Sequence, residues 1–577
     1  MPWLDDVDME ALAGRLDDLR SEGRLLTKVG RHPVVVFWHE DRAWAVEDRC
    51  PHLGFPLHQG TVEAGMVTCH WHHARFDLSS GCTLDPWADD TPAYDVEVRA
   101  GDVYVRTRPD PDAKGRLRAR LADGLEDQIA LVMAKSVLGL IELDEPLTDI
   151  VAVGAQFGAR NRARGWGGGM TVLTAMANVL PGLRPEDRPL ALTQALAFLA
   201  GDVGGHAPRF PLDPLEGTEV GADRLADWYR RFIDTRSGDA AERVLATALV
   251  DGTSTRADVE SMMFAATTDH VFIDGGHTVD FTNKAFELVD LMGSDSAPLL
   301  LPTLVHQTAA ATRHEELSEW RHPHDLAAIV EQTTLAAGPG TLTDEEVAAL
   351  AGRLLADDPV EVVDALVTAG ADGGSAEQLA RAVAHAAMLR ILRFHTQNDH
   401  RDWNSVHHGL TTANAIHQAA LRNPTPELLR GIVHSALKVY LDRFLNVPAA
   451  RPPTSSVGSL ADLAACWDAQ GHVDDAGRDA YGFLANGGDP GELIAALGHG
   501  LLIEDAGFHW FQLYEATVSH YHAWPEESEE GRLTLAAFAR FLAAHTPTRR
   551  ELSRVVDIAR RLRRGEELFA EPALREP

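Results

Sequence analysis

Four side chains near the amino end carry the clearest chemistry. Cys50-Pro51-His52 and Cys69-His70-Trp71-His72 supply a C-x-H and a C-x-x-H pair, two thiolate and two imidazole donors in two short segments. One group suited to that set is a [2Fe-2S] cluster with the thiolates on one iron and the imidazoles on the other. Neutral nitrogen in place of anionic sulfur lowers the negative charge of such a cluster, raises its potential and makes it a one-electron relay. The other is a tetrahedral Cys2His2 zinc site.

The flanking residues bear on that choice. They read AWAVEDRCPHLGFPLHQGTVEAGMVTCHWHHARFDLSSG, followed by YDVEVRAGDVYVRT. This text resembles the Rieske family, in which a strand leads into the first ligand loop, the second loop is C-P-W-H-G-A-R-F-D-x-x-T/S-G, and a closing hairpin ends in V-x-V. Cys69, Trp71, His72, Ala74, Arg75, Phe76, Asp77 and Gly81 stand in the matching places. The chain departs at His70, where Pro is usual, and at His73, where Gly is usual. The resemblance implies a small all-β domain over residues 23–108 holding a Rieske [2Fe-2S] cluster on Cys50, His52, Cys69 and His72. It also implies the ferredoxin or oxygenase type, because the extra cysteine that quinol-oxidising members carry in each ligand loop is missing. Cys82 and Cys466 are then plain thiols. His52 and His72 are expected to turn their ring edges toward solvent or a partner, as the exit for an electron.

These loops must be positioned by short β-rich runs such as HPVVVFW and YDVEV. Ahead of them, the leader from about Asp5 to Leu19 has helical spacing, and residues 1–22 are expected to form an N-terminal helix. Behind them, RPDPDAKGRLRAR is expected to be a linker over residues 109–120. From 121 to 577 nearly every stretch is rich in Ala, Leu, Glu and Arg and predicts a large all-α domain. GGHAPRFPLDPLEG, AAGPGTLTDEE and LNVPAARPPTSSVGS are the expected breaks between its helical blocks.

A degenerate repeat runs through that region. GGHTVDFTNKAFELVDLMG…LPTLVHQTAA aligns with VHHGLTTANAIHQAALRN…LRGIVHSAL. His277 and Asn283 match His408 and Asn414, and Val305-His306 matches Val433-His434. An earlier copy keeps Asn178 but lacks the histidines. Helical-hairpin repeats of this length stack so that each buries its apolar face against the next.

The chain has 27 histidines, of which a Rieske cluster uses only two. Several lie in polar stripes on one helical face. His277, Asp280, Lys284 and Glu287 follow i, i+3, i+7, i+10; Asp505, His509 and Gln512 follow i, i+4, i+7. Imidazole with carboxylate is a ligand set for non-haem iron that activates oxygen. The candidates for such a site are His277, Glu287, His306, His408, His434 and His509.

Known templates match little of this. The ring-hydroxylating motif D/N-x2-H-x4-H is approached only by His395 and His400, with Leu392 in the carboxylate's place. A ferritin-like di-iron site needs two Glu-x-x-His pairs. Glu319-Trp320-Arg321-His322 supplies one, and Pro323 ends its helix. His324-Asp325 falls at a helix start rather than within one. The segment V-H-H-G-L-T-T-A-N-A around His407 and His408 resembles questin-oxidase-like helical oxygenases.

Length, charge and missing motifs set the remaining bounds. At 577 residues the chain is long for one core, and 45% hydrophobic with 24% charged residues is ordinary for a globular protein. A formal net charge of −34 argues against nucleic acid or an anionic membrane as partner. The N-terminus has neither the basic nor the apolar region of a secretion signal, and no run approaches about eighteen apolar residues. A cytoplasmic location is expected. There is no nucleophile elbow and no P-loop. GWGGGM at 165–170 is expected to be a tight helix entry. Without a flavin or nicotinamide fingerprint, electrons must come from an external reductase or ferredoxin.

The reading is thus an oxidoreductase in which the Rieske domain feeds single electrons to the helical domain, which oxidises a small organic substrate with dioxygen at a non-haem iron. Fusion raises the effective concentration of donor near acceptor. The alternative is an electron carrier or redox sensor whose helical repeats are a docking scaffold.

Overall fold

The computed structural model describes residues 9–30, 32–108, 111–161, 165–216, 220–250, 252–454, 457–564 and 566. The chain divides into two units: residues 1–154 with 192–200 and 551–577, and residues 155–191 with 201–550.

The first unit contains the β domain. Strands β1 (Glu10–Arg15), β2 (Arg24–Val29), β3 (His32–His39), β4 (Arg42–Glu47), β8 (Ala93–Arg99) and β9 (Asp102–Arg106) form a six-stranded antiparallel sheet in the order β1-β9-β8-β4-β3-β2. A smaller sheet consists of β5 (Thr61–Glu63), β6 (Met66–Thr68) and β7 (Arg75–Asp77); the second ligand loop joins β6 to β7, and the first follows β4 on the way to β5. Side chains alternate across a strand. In β3, Val35 and Phe37 therefore enter the core that also holds Cys50 and Cys69, while Val34 and Val36 enter a second core on the opposite face.

Two expectations change here. Residues 1–8 of the expected N-terminal helix lie outside the described residues, but Glu10–Arg15 is strand β1, and only α1 (Leu16–Glu22) is helical. Pairing of β1 with the free edge of β9 satisfies its backbone and overrides the helical spacing. The expected linker is also short. Helix α2 (Ala113–Glu126) begins inside it and turns Leu121 and Leu125 inward, followed by α3 (Ala130–Glu142). The C-terminal helix Glu551–Arg563 packs on α3, where Arg563 binds Glu142 at 2.6 Å.

After the β domain, 23 α-helices follow among the described residues. In the second unit several are started by reciprocal caps, as at Thr255 with Asp258, Thr343 with Glu346 and Ser375 with Gln378. The described parts of the proline- and glycine-rich segments lie largely between helices, and Gly167 caps the helix entered through GWGGGM. Four helices matter most: α4 (Gly168–Val179), α5 (His277–Met292), α6 (Trp403–Arg422) and α8 (Phe508–His522), with α7 (Pro426–Leu441) beside α6. They close a ring in which α4 packs on α5, α5 on α6, α6 on α8 and α8 on α4. The segments aligned by the repeat around Asn178, Asn283 and Asn414 are three members of that ring.

Candidate metal centres

The first centre is built by two tight loops. The Cys50 N–H donates to the Phe55 carbonyl at 2.8 Å, and Gly54 N–H returns to the Cys50 carbonyl at 2.7 Å. In the second loop Cys69 N–H donates to Ala74 at 2.8 Å, and His73 N–H to Cys69 at 3.0 Å. His73 sits at φ +63°, the left-handed region that glycine enters freely, which is a physical reason for glycine at that loop position. Arg75 clamps the loop from behind through Asp85 at 2.8 Å.

Cys50 and Cys69 are 2% and 1% exposed, whereas the His52 and His72 rings lie nearer the surface, with centroids 4.7 Å apart at 83°. The thiols hydrogen-bond to each other, which pushes Cys50 up and holds Cys69 down at about 6. Burial and then the neighbouring His72 lower His52 to about 4. Its Nδ1 is buried without a hydrogen-bond partner. A pair of facing thiols beside an orphaned imidazole nitrogen fits a mixed-ligand cluster, with Cys50, Cys69, His52 and His72 as its holders. When bound, such a cluster accepts and gives up one electron at a time. Trp71, 41% exposed, stacks on His72 at 4.7 Å and extends the aromatic surface around that edge. Exposed His70 accepts or donates a 2.6 Å bond with Thr61.

The second centre lies in the helical unit. His277 is the first residue of α5, His408 lies in the second turn of α6 and His509 in the first turn of α8. Their donor atoms all lie within 4.8 Å of one another. The His408 and His509 Nε2 atoms are 3.3 Å apart, and His277 stands 4.5 Å from His408 and 5.5 Å from His509 between ring centroids. Burial, followed by the other imidazoles, lowers His277 to about 4 and His408 to about 2; burial also lowers His509 to about 4. All three are neutral near pH 7, the state in which imidazole binds a metal.

A strained turn delivers His277. Phe272, Asp274, Gly275 and Gly276 have φ of 41°, 50°, 65° and 91°, an unusual run of left-handed conformations. The paired glycines before His277 were the available sequence signal for it.

Below the imidazoles the ring has a polar interior. Gln512 donates to Asp280; Lys284 Nζ lies 2.8 Å from Glu287 and 2.7 Å from Glu515. Asn178 donates to Glu287 at 2.7 Å and to Glu515 at 3.1 Å. Burial raises Asp280 to about 8.

Of the six helical candidates, His277, His408 and His509 come together. Glu287 belongs to the Lys284 network. His306 pairs with Glu242 at 2.9 Å, and His434 is buried on α7, where burial, then Arg430, lowers it to about 3. His407, adjacent to His408, packs against Phe541 at 4.4 Å rather than joining the trio.

The fold and the first centre define an iron–sulfur domain with mixed cysteine and histidine ligation. The family model for the Rieske [2Fe-2S] domain matches residues 10–95. Ferredoxin CarAc of Metapseudomonas resinovorans is 31% identical over 83 residues, which are 14% of this chain and 78% of that protein. The ferredoxin component of the alkene monooxygenase system of Xanthobacter autotrophicus is 29% identical over 108 residues, 18% of this chain and 88% of the relative. Human apoptosis-inducing factor 3 is 31% identical over 99 residues, 17% of this chain but only 16% of that protein's length. Through its N-terminal domain the chain belongs to the Rieske [2Fe-2S] family. No helix among the described residues is long and apolar enough to cross a membrane.

Proposed function

We propose that this protein is a two-part oxidoreductase. The Rieske domain takes single electrons from an external reductase or ferredoxin, as its relatives among ferredoxin components suggest. The helical unit uses them in dioxygen-dependent oxidation of a small organic substrate at an iron held by His277, His408 and His509.

The observation that carries this reading is the convergence of three neutral imidazoles from three helices. Three protein ligands leave positions open for substrate or oxidant, as at catalytic rather than structural metal sites. Imidazole also suits zinc and copper. An electron donor in the same polypeptide favours iron, because zinc has no use for electrons.

Metal analysis tests this directly. A Cys50→Ser, Cys69→Ser variant is expected to lose the cluster's iron yet retain one metal ion, and adding His408→Ala is expected to remove it. If the cysteine variant retained none, and the wild type consumed no oxygen with any reductant, the reading would fall to that of an electron carrier.

A further inference from the structure

A cavity of about 390 Å³ in the helical unit has His408 in its wall, so the imidazole trio borders on it. Another part of the lining is aromatic. Trp320 stacks on Phe272 at 5.7 Å, and Tyr440 and Phe444 flank Arg443, whose guanidinium carbon lies 3.9 Å and 4.1 Å from their ring centroids. The cations in the lining differ in availability. Lys438 Nζ is occupied by Ser405 and Asp442, each at 2.6 Å. Arg443 donates to the Tyr440 carbonyl at 3.1 Å and makes no ion pair with a described carboxylate. In a chain of net charge −34, a guanidinium left without an acid partner in a cavity wall is notable. Its planar fork suits bidentate binding of a carboxylate.

We propose that this cavity binds a planar aromatic carboxylate, with the carboxylate on Arg443 and the ring among the aromatic side chains, bordering His408. The volume suits a molecule of one to a few rings. Its role as the oxidised substrate rests on the function proposed above; the binding does not.

Calorimetric titration of the full-length holoprotein without oxygen or reductant tests the site, using benzoate and 2-naphthoate against benzamide and cyclohexanecarboxylate. Saturable binding of an aromatic acid is expected, at least tenfold weaker for both control compounds and in Arg443→Gln. Arg443 is partly exposed, so that variant keeps its fold. Absence of saturable binding by both aromatic acids, or unchanged affinity in Arg443→Gln, would overturn the proposal. Binding in a protein whose only iron is the cluster's would sustain the cavity while defeating the oxygenase reading; a helical iron without binding would do the reverse.

A separate observation concerns the cluster. Lys135 on α3 is 6% exposed, and its Nζ donates to the carbonyl of Pro51, between ligands Cys50 and His52. It makes no ion pair with a described carboxylate; its charged surroundings are Asp89, Cys50, Arg120 and Arg563. Burial, the largest influence, lowers the Lys135 pKa, and in its protonated form a buried ammonium without an acid partner favours negative charge nearby. We infer that Lys135 raises the reduction potential of the cluster by favouring the electron it gains.

Lys135→Met is expected to lower the equilibrium constant for reduction about tenfold, a fall of about 59 mV for one electron, with unchanged cluster g-values in EPR. Lys135→Arg should retain the wild-type potential. A wild-type potential in Lys135→Met with intact EPR, or an equal fall in both variants, would overturn the inference. If Lys135→Met did not fold, an unshifted potential in Lys135→Gln would overturn it equally.

Discussion

Gly276 meets Thr412 so closely that a β-carbon on the glycine would fall 1.8 Å from the threonine Oγ1. Thr412 lies one turn beyond His408 on α6, and Gly276 directly precedes His277 on α5. The contact therefore sets the spacing between two of the converging imidazoles. Gly276→Ala is expected to cost about 1–3 kcal/mol, because φ +91° and the lost space both oppose it. Metal bound by the helical unit should weaken with it while the Rieske EPR signal stays. Thermal unfolding and metal analysis check both, and retention of that metal with wild-type affinity would refute the positional role.

Lys284 is a second control point, because its ammonium contacts both Glu287 and Glu515, at 2.8 and 2.7 Å, inside the ring. Removing one partner of a buried charge group leaves the rest uncompensated. Lys284→Met is expected to destabilise the protein by about 3–5 kcal/mol, and Lys284→Met with Glu287→Gln to recover part of that. Chemical denaturation of both variants measures it.

At the second ligand loop, His73 occupies left-handed backbone at φ +63°. A β-branched residue is poorly tolerated there. His73→Val is expected to cost about 1–2 kcal/mol, while His73→Gly should match or exceed the wild type. Melting temperatures and the visible cluster spectrum of the pair decide the matter.

Glu145 gives a pH dependence of known sign. Burial pushes its carboxyl up, but Arg118 at 2.7 Å and Lys114 at 3.2 Å more than offset this and leave it below the ordinary range. Its contribution to stability is therefore full above the unfolded carboxyl's pKa, about 4.3, and is lost as pH falls through the lower folded value. Both bases are partly exposed, so solvent screening reduces the effect. Glu145→Gln should cost about 1–2 kcal/mol at neutral pH and flatten the acid limb of stability against pH. Denaturation midpoints across that range test it, and an acid limb as steep as the wild type's would contradict the assignment.

Much of this architecture was legible in the residues alone. The candidate cluster ligands lie within a few positions of one another in two loops, where local backbone hydrogen bonds such as Cys69 to Ala74 hold them. Local spacing therefore made this candidate site legible. The helical character of the second unit and its breaks at proline and glycine were equally local. The helical spacing of residues 10–15 misled because their conformation is decided by the edge of β9, a partner remote in sequence.

By itself, then, the sequence determined the Rieske resemblance with its candidate ligand set, the β-then-α order and the polar stripe from His277 to Glu287. Only the tertiary structure decided that His277, His408 and His509 meet while His306 turns to Glu242 and Glu287 to Lys284. Periodicity tells which residues share a face of one helix, but not which faces meet. His408 and His509 are 101 positions apart, and only the packing of α5, α6 and α8 brings their ends together.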